Sequence, residues 1–280
     1  MSSPDVGRLI GMTIGFPQLD AEEAAAVLVD FGFEALEVHL LQLGPGIPGV
    51  PVFEGHAAAL GEALREVGLV VSTLNGAGAP GFEPHADRST WDAAADELSR
   101  QLRLAAAMGS PRVLCWDGRL PPGGRAEGAP RRLAECIAAG IERSQLADPP
   151  DVSVELHPFT FALEHGFVAE LAEALRNVGA GICLDFCHFG VALGPEFMNE
   201  VGDDVLLAVN HVHFSDTDCL TSELHFPPGR GVLDLNSVIS RLAGLHVALA
   251  WDLFGWPAPR AAIRESLSSY ARFVRQGAAA

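Results

Sequence analysis

A chain of 280 residues, 49% of them hydrophobic, can bury one large core, and its formal net charge of -18 would repel a nucleic-acid backbone. All 18 basic residues are arginine, which excludes Schiff-base chemistry, pyridoxal phosphate attachment and a phosphate-loop lysine, leaving electrophilic help to a metal, arginine or the backbone. Cys115, Cys136, Cys183, Cys187 and Cys219 are odd in number and lack CxxC spacing; with no basic-then-apolar leader and no membrane-length run, the expectation is a soluble cytoplasmic protein with neither nucleic-acid nor membrane partner.

The first strand is expected at residues 9–15, followed by a helix over AEEAAAVLVDFG that Asp20 caps and Gly32 stops. A second strand covers 35–40, and the Gly- and Pro-rich loop LGPGIPGVP, long enough to reach over a pocket, leads to a helix over 54–67. Then come a strand at 69–74, a helix at 91–108, a strand at 112–116 and a helix at 131–146. The second half reads as a strand at 152–156, a helix at 168–177, an apolar strand within AGICLDFCHFG at 180–190, and a strand at 207–214. A helix from 235, a strand at 246–253 and a helix at 261–275 complete the chain.

Eight strand–helix alternations with no linker between them suggest a single-domain (β/α)8 barrel, a TIM barrel, over residues 1–280. An open doubly wound sheet fits less well. No glycine-rich fingerprint follows the first strand, and polar residues gather at the ends of several strands rather than at one crevice.

Those polar ends are Glu155 in VSVELHP, Asp185 in ICLDFCH, His211 and His213 in VNHVHFSD, and Asp252 in ALAWDLF. Alternation puts Ser153, Glu155 and His157 on one face, as it does Cys183, Asp185 and Cys187, and Ala248, Ala250 and Asp252. Clustered acids stay ionised together only when something offsets their charge. A single divalent ion does so, and carboxylates with one imidazole favour Mn or Mg over Co or Zn. His157 and His211 either line the site or support it. Glu37 and His39, ending the second strand, are candidates for substrate contact, as is Arg230 for an anionic group. Trp116, Trp251, Trp256, Phe16 and Phe189 would suit a sugar ring or aglycone, although core packing explains them equally well.

The order of a strand-end Glu, a D-x-x-H, an H-x-H-x-x-D and a P-G-x-G, carried by Glu155, by Asp185 with His188, by His211 to Asp216 and by Pro228 to Gly231, resembles the xylose isomerase-like barrels. This family holds sugar (phosphate) isomerases and epimerases together with the endonuclease IV branch. The resemblance implies that Glu155, Asp185 and His213 are metal ligands and that His188 meets a substrate hydroxyl. Its fourth ligand is usually Glu; this chain has Asp252, one methylene shorter. The epimerases resemble two-base enzymes, which makes Glu155 and Asp252 catalytic. The nuclease branch's early-strand histidines are missing from LNGAG and CWDG, but Glu223 and His225 resemble its acid-x-His pair and would serve a second metal.

The implied activity is a metal-dependent isomerase or epimerase that removes the proton next to the carbonyl of a keto- or hydroxy-sugar. The alternative is a dehydratase or lyase that expels a β-leaving group from a keto-sugar, an inosose or an oxidised glycoside. A third reading is a non-catalytic barrel subunit. The expected partner is a carbohydrate-like small molecule, and the apolar composition is compatible with a homo-oligomer.

Overall fold

A computed structural model describes residues 7–44, 52–76, 88–118, 128–158 and 165–279. Eight parallel strands pair in chain order and close on themselves: β1 (Ile10–Met12), β2 (Ala35–His39), β3 (Val70–Asn75), β4 (Arg112–Trp116), β5 (Asp151–Glu155), β6 (Gly181–Asp185), β7 (Val209–Phe214) and β8 (Ala248–Trp251). Parallel neighbours need crossover connections, and helices supply them. They are α1 (Ala21–Asp30), α2 (Glu54–Glu66), α3 (Arg88–Met108), α4 (Ala129–Ser144), α5 (His165–Asn177), α6 (Phe186–Leu193), α7 (Asp203–Leu206), α8 (Leu235–Leu242) and α9 (Pro259–Ala279). The expected TIM barrel is therefore the observed fold. Most of the loop LGPGIPGVP lies outside the described residues. No helix among the described residues is long and apolar enough to cross a membrane.

Strand parity divides the core. In β2, Leu36 and Val38 join the large cluster between sheet and helices, while Ala35 packs inside the barrel with Ile10, Met12, Ala248 and Ala250. Small side chains there leave room for the polar groups of the same face. The seam between β1 and β8 pairs only Ile10 with Ala250 and Gly11 with Trp251. Tyr270 of α9 reinforces it, its hydroxyl meeting the Ile10 N–H and the carbonyls of Ile10 and Leu249.

Two local departures from the sequence reading matter for the site. β1 stops at Met12 and becomes a 3-10 turn over Thr13–Gly15, because side chains take over the bonding. Thr13 Oγ1 accepts the His39 N–H at 3.0 Å, and Gln42 Nε2 donates to the carbonyls of Thr13, Phe16 and Leu19. Likewise AGICLDFCHFG is not one strand. It leaves β6 at Asp185, which becomes the N-cap of α6 by accepting the His188 N–H at 2.9 Å. Cys187 consequently leaves the face of Cys183 and Asp185, and its thiol donates to Thr217 Oγ1.

The two later motifs lock into each other. Asp216 accepts three backbone N–H groups, Oδ1 from Thr217 and Leu233 and Oδ2 from Gly229. Gly229 takes φ +86°, and a Cβ on Gly231 would lie 2.2 Å from Asp216 Oδ1 and 2.3 Å from the Thr217 carbonyl. H-x-H-x-x-D and P-G-x-G thus anchor the loop that carries Glu223 and His225.

Candidate functional site

Register brings the ligands together. Glu155 pairs with Cys183, Asp185 with His213, and His213 with Ala250, so four consecutive strands present their C-terminal ends to one point. His213 Nδ1 lies 2.8 Å from Glu155 Oε1, 3.2 Å from Asp185 Oδ2 and 3.7 Å from Asp252 Oδ2. Glu155, Asp185 and His213 are buried, and each brings one ligand atom within 4.8 Å of the other two.

Glu37, a candidate for substrate contact, sits beneath this trio. Its Oε1 takes the Asn75 amide at 2.6 Å and His213 Nε2 at 3.0 Å, and its Oε2 takes His211 Nε2 at 2.6 Å. Burial works to raise the Glu37 pKa, but the charge on His213 and the hydrogen bonds from His211 and His213 hold it far below the usual carboxylate range. An ionised carboxylate only accepts, so both Nε2 atoms carry their hydrogens toward it. His213 is left with Nδ1 facing the acids, the orientation that a carboxylate behind a metal-bound histidine enforces. Cys183 also lies beside the two histidines, but burial pushes its thiol up to about 12 and their Nε2 atoms are engaged.

His188, on the first turn of α6, is buried 3.8 Å from Glu155 Oε1 and 3.9 Å from Asp185 Oδ2 through Nδ1. Neither ring nitrogen has a hydrogen-bond partner among the described residues. Burial, reinforced by the neighbouring His157, His225 and His213 against the pull of Asp185, drives its pKa well below the usual imidazole value. A buried imidazole without partners is costly until a ligand supplies one.

The His157 ring lies tilted between those of Trp116 and His188, with centroids 4.6 and 4.4 Å away. Its Nδ1 faces Asp117 Oδ1 at 3.6 Å and its Nε2 faces Glu155 Oε2 at 3.9 Å. Burial opposes its protonation, yet Glu155 and Asp117 raise its pKa. His225 lies edge-on to His188, with Nδ1 2.5 Å from Asp252 Oδ2. Burial is again outweighed, here by Asp252 and Asp185, and the pKa of His225 rises well above the usual value. Asp252 Oδ1 accepts the Phe254 N–H at 2.7 Å.

These groups open into a pocket of about 210 Å³. Met12, Ile14, Leu41, Trp116 and Phe254 give it apolar lining, and Glu155, His157, His188, Glu223, His225 and Asp252 polar lining. His39 also lines it, with Nδ1 accepting the Leu41 N–H. Arg230 does not: it is exposed and pairs with Glu265. Of the five aromatics considered from sequence, Trp116 lines the pocket. Phe16, Phe189 and Trp251 are core, Trp251 packing on Phe33 and Tyr270, and Trp256 packs on Phe226. Asp117, one residue past Trp116, escaped the sequence reading although an acid at a strand end was the signal used elsewhere. The apolar lining had no signal, because Met12, Ile14 and Leu41 resemble any core residue.

The donor set fits a divalent ion. Two carboxylates and an imidazole converge, the imidazole is oriented from behind by Glu37, and an unpartnered His188 stands beside them.

The family model described as xylose isomerase-like TIM barrel matches residues 25–272. No match was found among curated proteins. Among solved structures, the chain is similar to the IolI protein with a binding zinc atom (TM-score 0.74, 15% identity, 95% of this chain and 98% of that one). It is similar to the probable 3-DHS dehydratase AsbF of Bacillus anthracis, involved in petrobactin synthesis (TM-score 0.71, 14% identity, 94% and 98%). It is also similar to an L-ribulose 3-epimerase (TM-score 0.68, 15% identity, 97% and 92%). At these identities the likeness is one of fold.

Proposed function

We propose that this chain, which belongs to the xylose isomerase-like TIM barrel family, is a divalent-metal-dependent isomerase or epimerase of a keto- or hydroxy-sugar. The observation that carries the reading is the convergence of Glu155, Asp185 and His213 from three strands beneath a pocket. The oxygen-rich set favours Mn or Mg, with Co or Zn next; the IolI structure of similar fold holds zinc. When bound, such an ion supplies Lewis acidity, polarising a substrate carbonyl and stabilising the negative charge that proton removal leaves.

The protein's own part divides by oxygen. Glu155 Oε1 faces His213, while Oε2 is turned toward His157, so one carboxylate both binds and removes the proton next to the carbonyl. His188 offers its open nitrogens to a substrate hydroxyl, and the apolar lining residues exclude water and receive the less polar part of the substrate. Asp252 or His188 returns the proton. Glu223 and His225, beside His188, would serve a second ion in the reading that includes one.

A second reading, elimination of a β-leaving group, draws on Asp252. Both of its oxygens are engaged, by His225 and by the Phe254 N–H, and elimination needs Glu155 alone. The Mn-loaded protein, incubated in deuterated water with candidate ketoses, should place deuterium on the carbon next to the carbonyl; an unsaturated product absorbing in the ultraviolet would mark the lyase instead. A panel showing neither exchange nor elimination would defeat both.

A further inference from the structure

Asp252 stands where the family usually places a glutamate ligand, and the structure surrounds it differently from Glu155, Asp185 and His213. His213 pairs with Ala250, so Asp252 lies two residues, about 6.6 Å, farther along the direction of β8. It falls beyond the end of that strand. Its side chain is also short. Among the described residues it joins none of the trios whose ligand atoms lie within 4.8 Å of one another, and its Oδ2 lies 3.7 Å from His213 Nδ1.

Its close ion-pair partner there is His225. The Nδ1–Oδ2 contact of 2.5 Å leaves no room for an ion between the two groups. His225 is itself fixed from two sides: its backbone N–H donates to the Phe254 carbonyl at 2.9 Å, and its Nε2 faces the Ser222 carbonyl at 3.3 Å. The Phe254 N–H in turn donates to Asp252. The loop after β7 and the segment after β8 are therefore clamped together around one carboxylate, and Asp216 anchors that loop from below.

We propose that His225 is a positioning residue that holds Asp252 away from the metal, so that Glu155, Asp185 and His213 are the ion's three protein ligands and the side toward Asp252 stays open to substrate oxygens. The inference rests on the metal-centre reading above. A site with three protein ligands and an open position is the usual arrangement where a metal acts on substrate rather than on structure. If Asp252 were instead a ligand supported by His225, removing His225 would loosen it, and loss of such a supporting partner typically weakens metal binding by about 10–100-fold.

The two arrangements predict opposite signs. Mn(II) binding to the metal-free protein, followed through the paramagnetic resonance signal of the free ion, is compared for wild type, D185N, D252N, H225F and H225N, with each fold checked by circular dichroism. D185N should lose about 100-fold or more in affinity, whereas D252N should lose less than about tenfold. H225F removes the ion-pair partner but keeps a ring, freeing Asp252 to turn inward, and should tighten binding by about threefold or more. H225N, whose side-chain amide can replace Nδ1, should restore the wild-type value. An unchanged or weakened affinity in H225F, or a D252N loss equal to that of D185N, would overturn the proposal. If D185N binds Mn(II) like wild type, the metal centre itself is wrong, a distinct failure. Should D252N not fold, the sign of the H225F shift still decides.

Discussion

Replacing Glu37 with Gln tests how much of the site depends on a residue that never reaches the pocket. Three donors converge on its two oxygens, from Asn75, His213 and His211, and the amide offers one oxygen in exchange. If that oxygen keeps Asn75 and His213, the new NH2 faces His211, whose unpartnered Nδ1 can take the hydrogen while Nε2 becomes the acceptor. The fold should therefore tolerate E37Q, whereas E37A leaves buried polar groups without a partner and should cost about 3–5 kcal/mol. Metal binding should suffer in both. Without a charged carboxylate behind His213, Mn(II) affinity should fall about 10–100-fold, or roughly 1.4–2.8 kcal/mol. Calorimetric titration gives the affinity and urea unfolding the stability. Wild-type affinity in E37Q would refute the orienting role, and unchanged affinity with a raised KM would return Glu37 to the substrate contact considered from sequence.

Three further predictions use other parts of the molecule. Burial opposes protonation of His213, but the charges of Glu37 and Glu155 and the Asp185 hydrogen bond raise its pKa well above the usual imidazole value. In the metal-free protein that contribution to stability is complete below the unfolded imidazole pKa, about 6.5, and is lost as pH rises through the folded value. Metal binding must displace the Nδ1 proton, so Mn(II) affinity should strengthen with rising pH and release about one proton near neutrality; titrations in buffers of different ionisation enthalpy count it, and zero release would contradict this. Y270F removes the hydroxyl from the β1–β8 seam and should lower stability by about 1–3 kcal/mol, read by urea unfolding, with Mn(II) affinity unchanged. G231A drives a Cβ into Asp216 and the Thr217 backbone and should cost about 1–3 kcal/mol, read as a lowered melting temperature.

The barrel was legible because its signal is repeated: each apolar run and each capped helix is weak alone, but eight in alternation leave few other architectures. β4 has the bounds read from sequence. Glu155 and Asp185 were legible as strand-end acids, whereas parity could not separate His213 from His211, and the choice of His213 came from the family motif. The pairing of Glu37 with His211 and His213 was not legible, since it joins residues 174 and 176 positions apart inside the barrel, and a strand-end acid says nothing of what stands behind it. The close ion-pair contact between His225 and Asp252 was hidden for the same reason, being made between two loops. The helix after Asp185 left a local sign, an Asp in N-cap position, but the apolar FCHFGVAL that follows reads as easily as buried strand. Arg230 was misplaced because its motif predicts a loop and not the direction of its side chain.

The metal centre is tested most directly by X-ray absorption on protein loaded with one equivalent of Zn(II), alongside metal content after dialysis. The predicted result is one ion per chain, bound by a single imidazole and by oxygen, with uptake lost in D185N. Absence of retained metal, or a site containing sulfur from Cys183 and two imidazoles, would contradict the account.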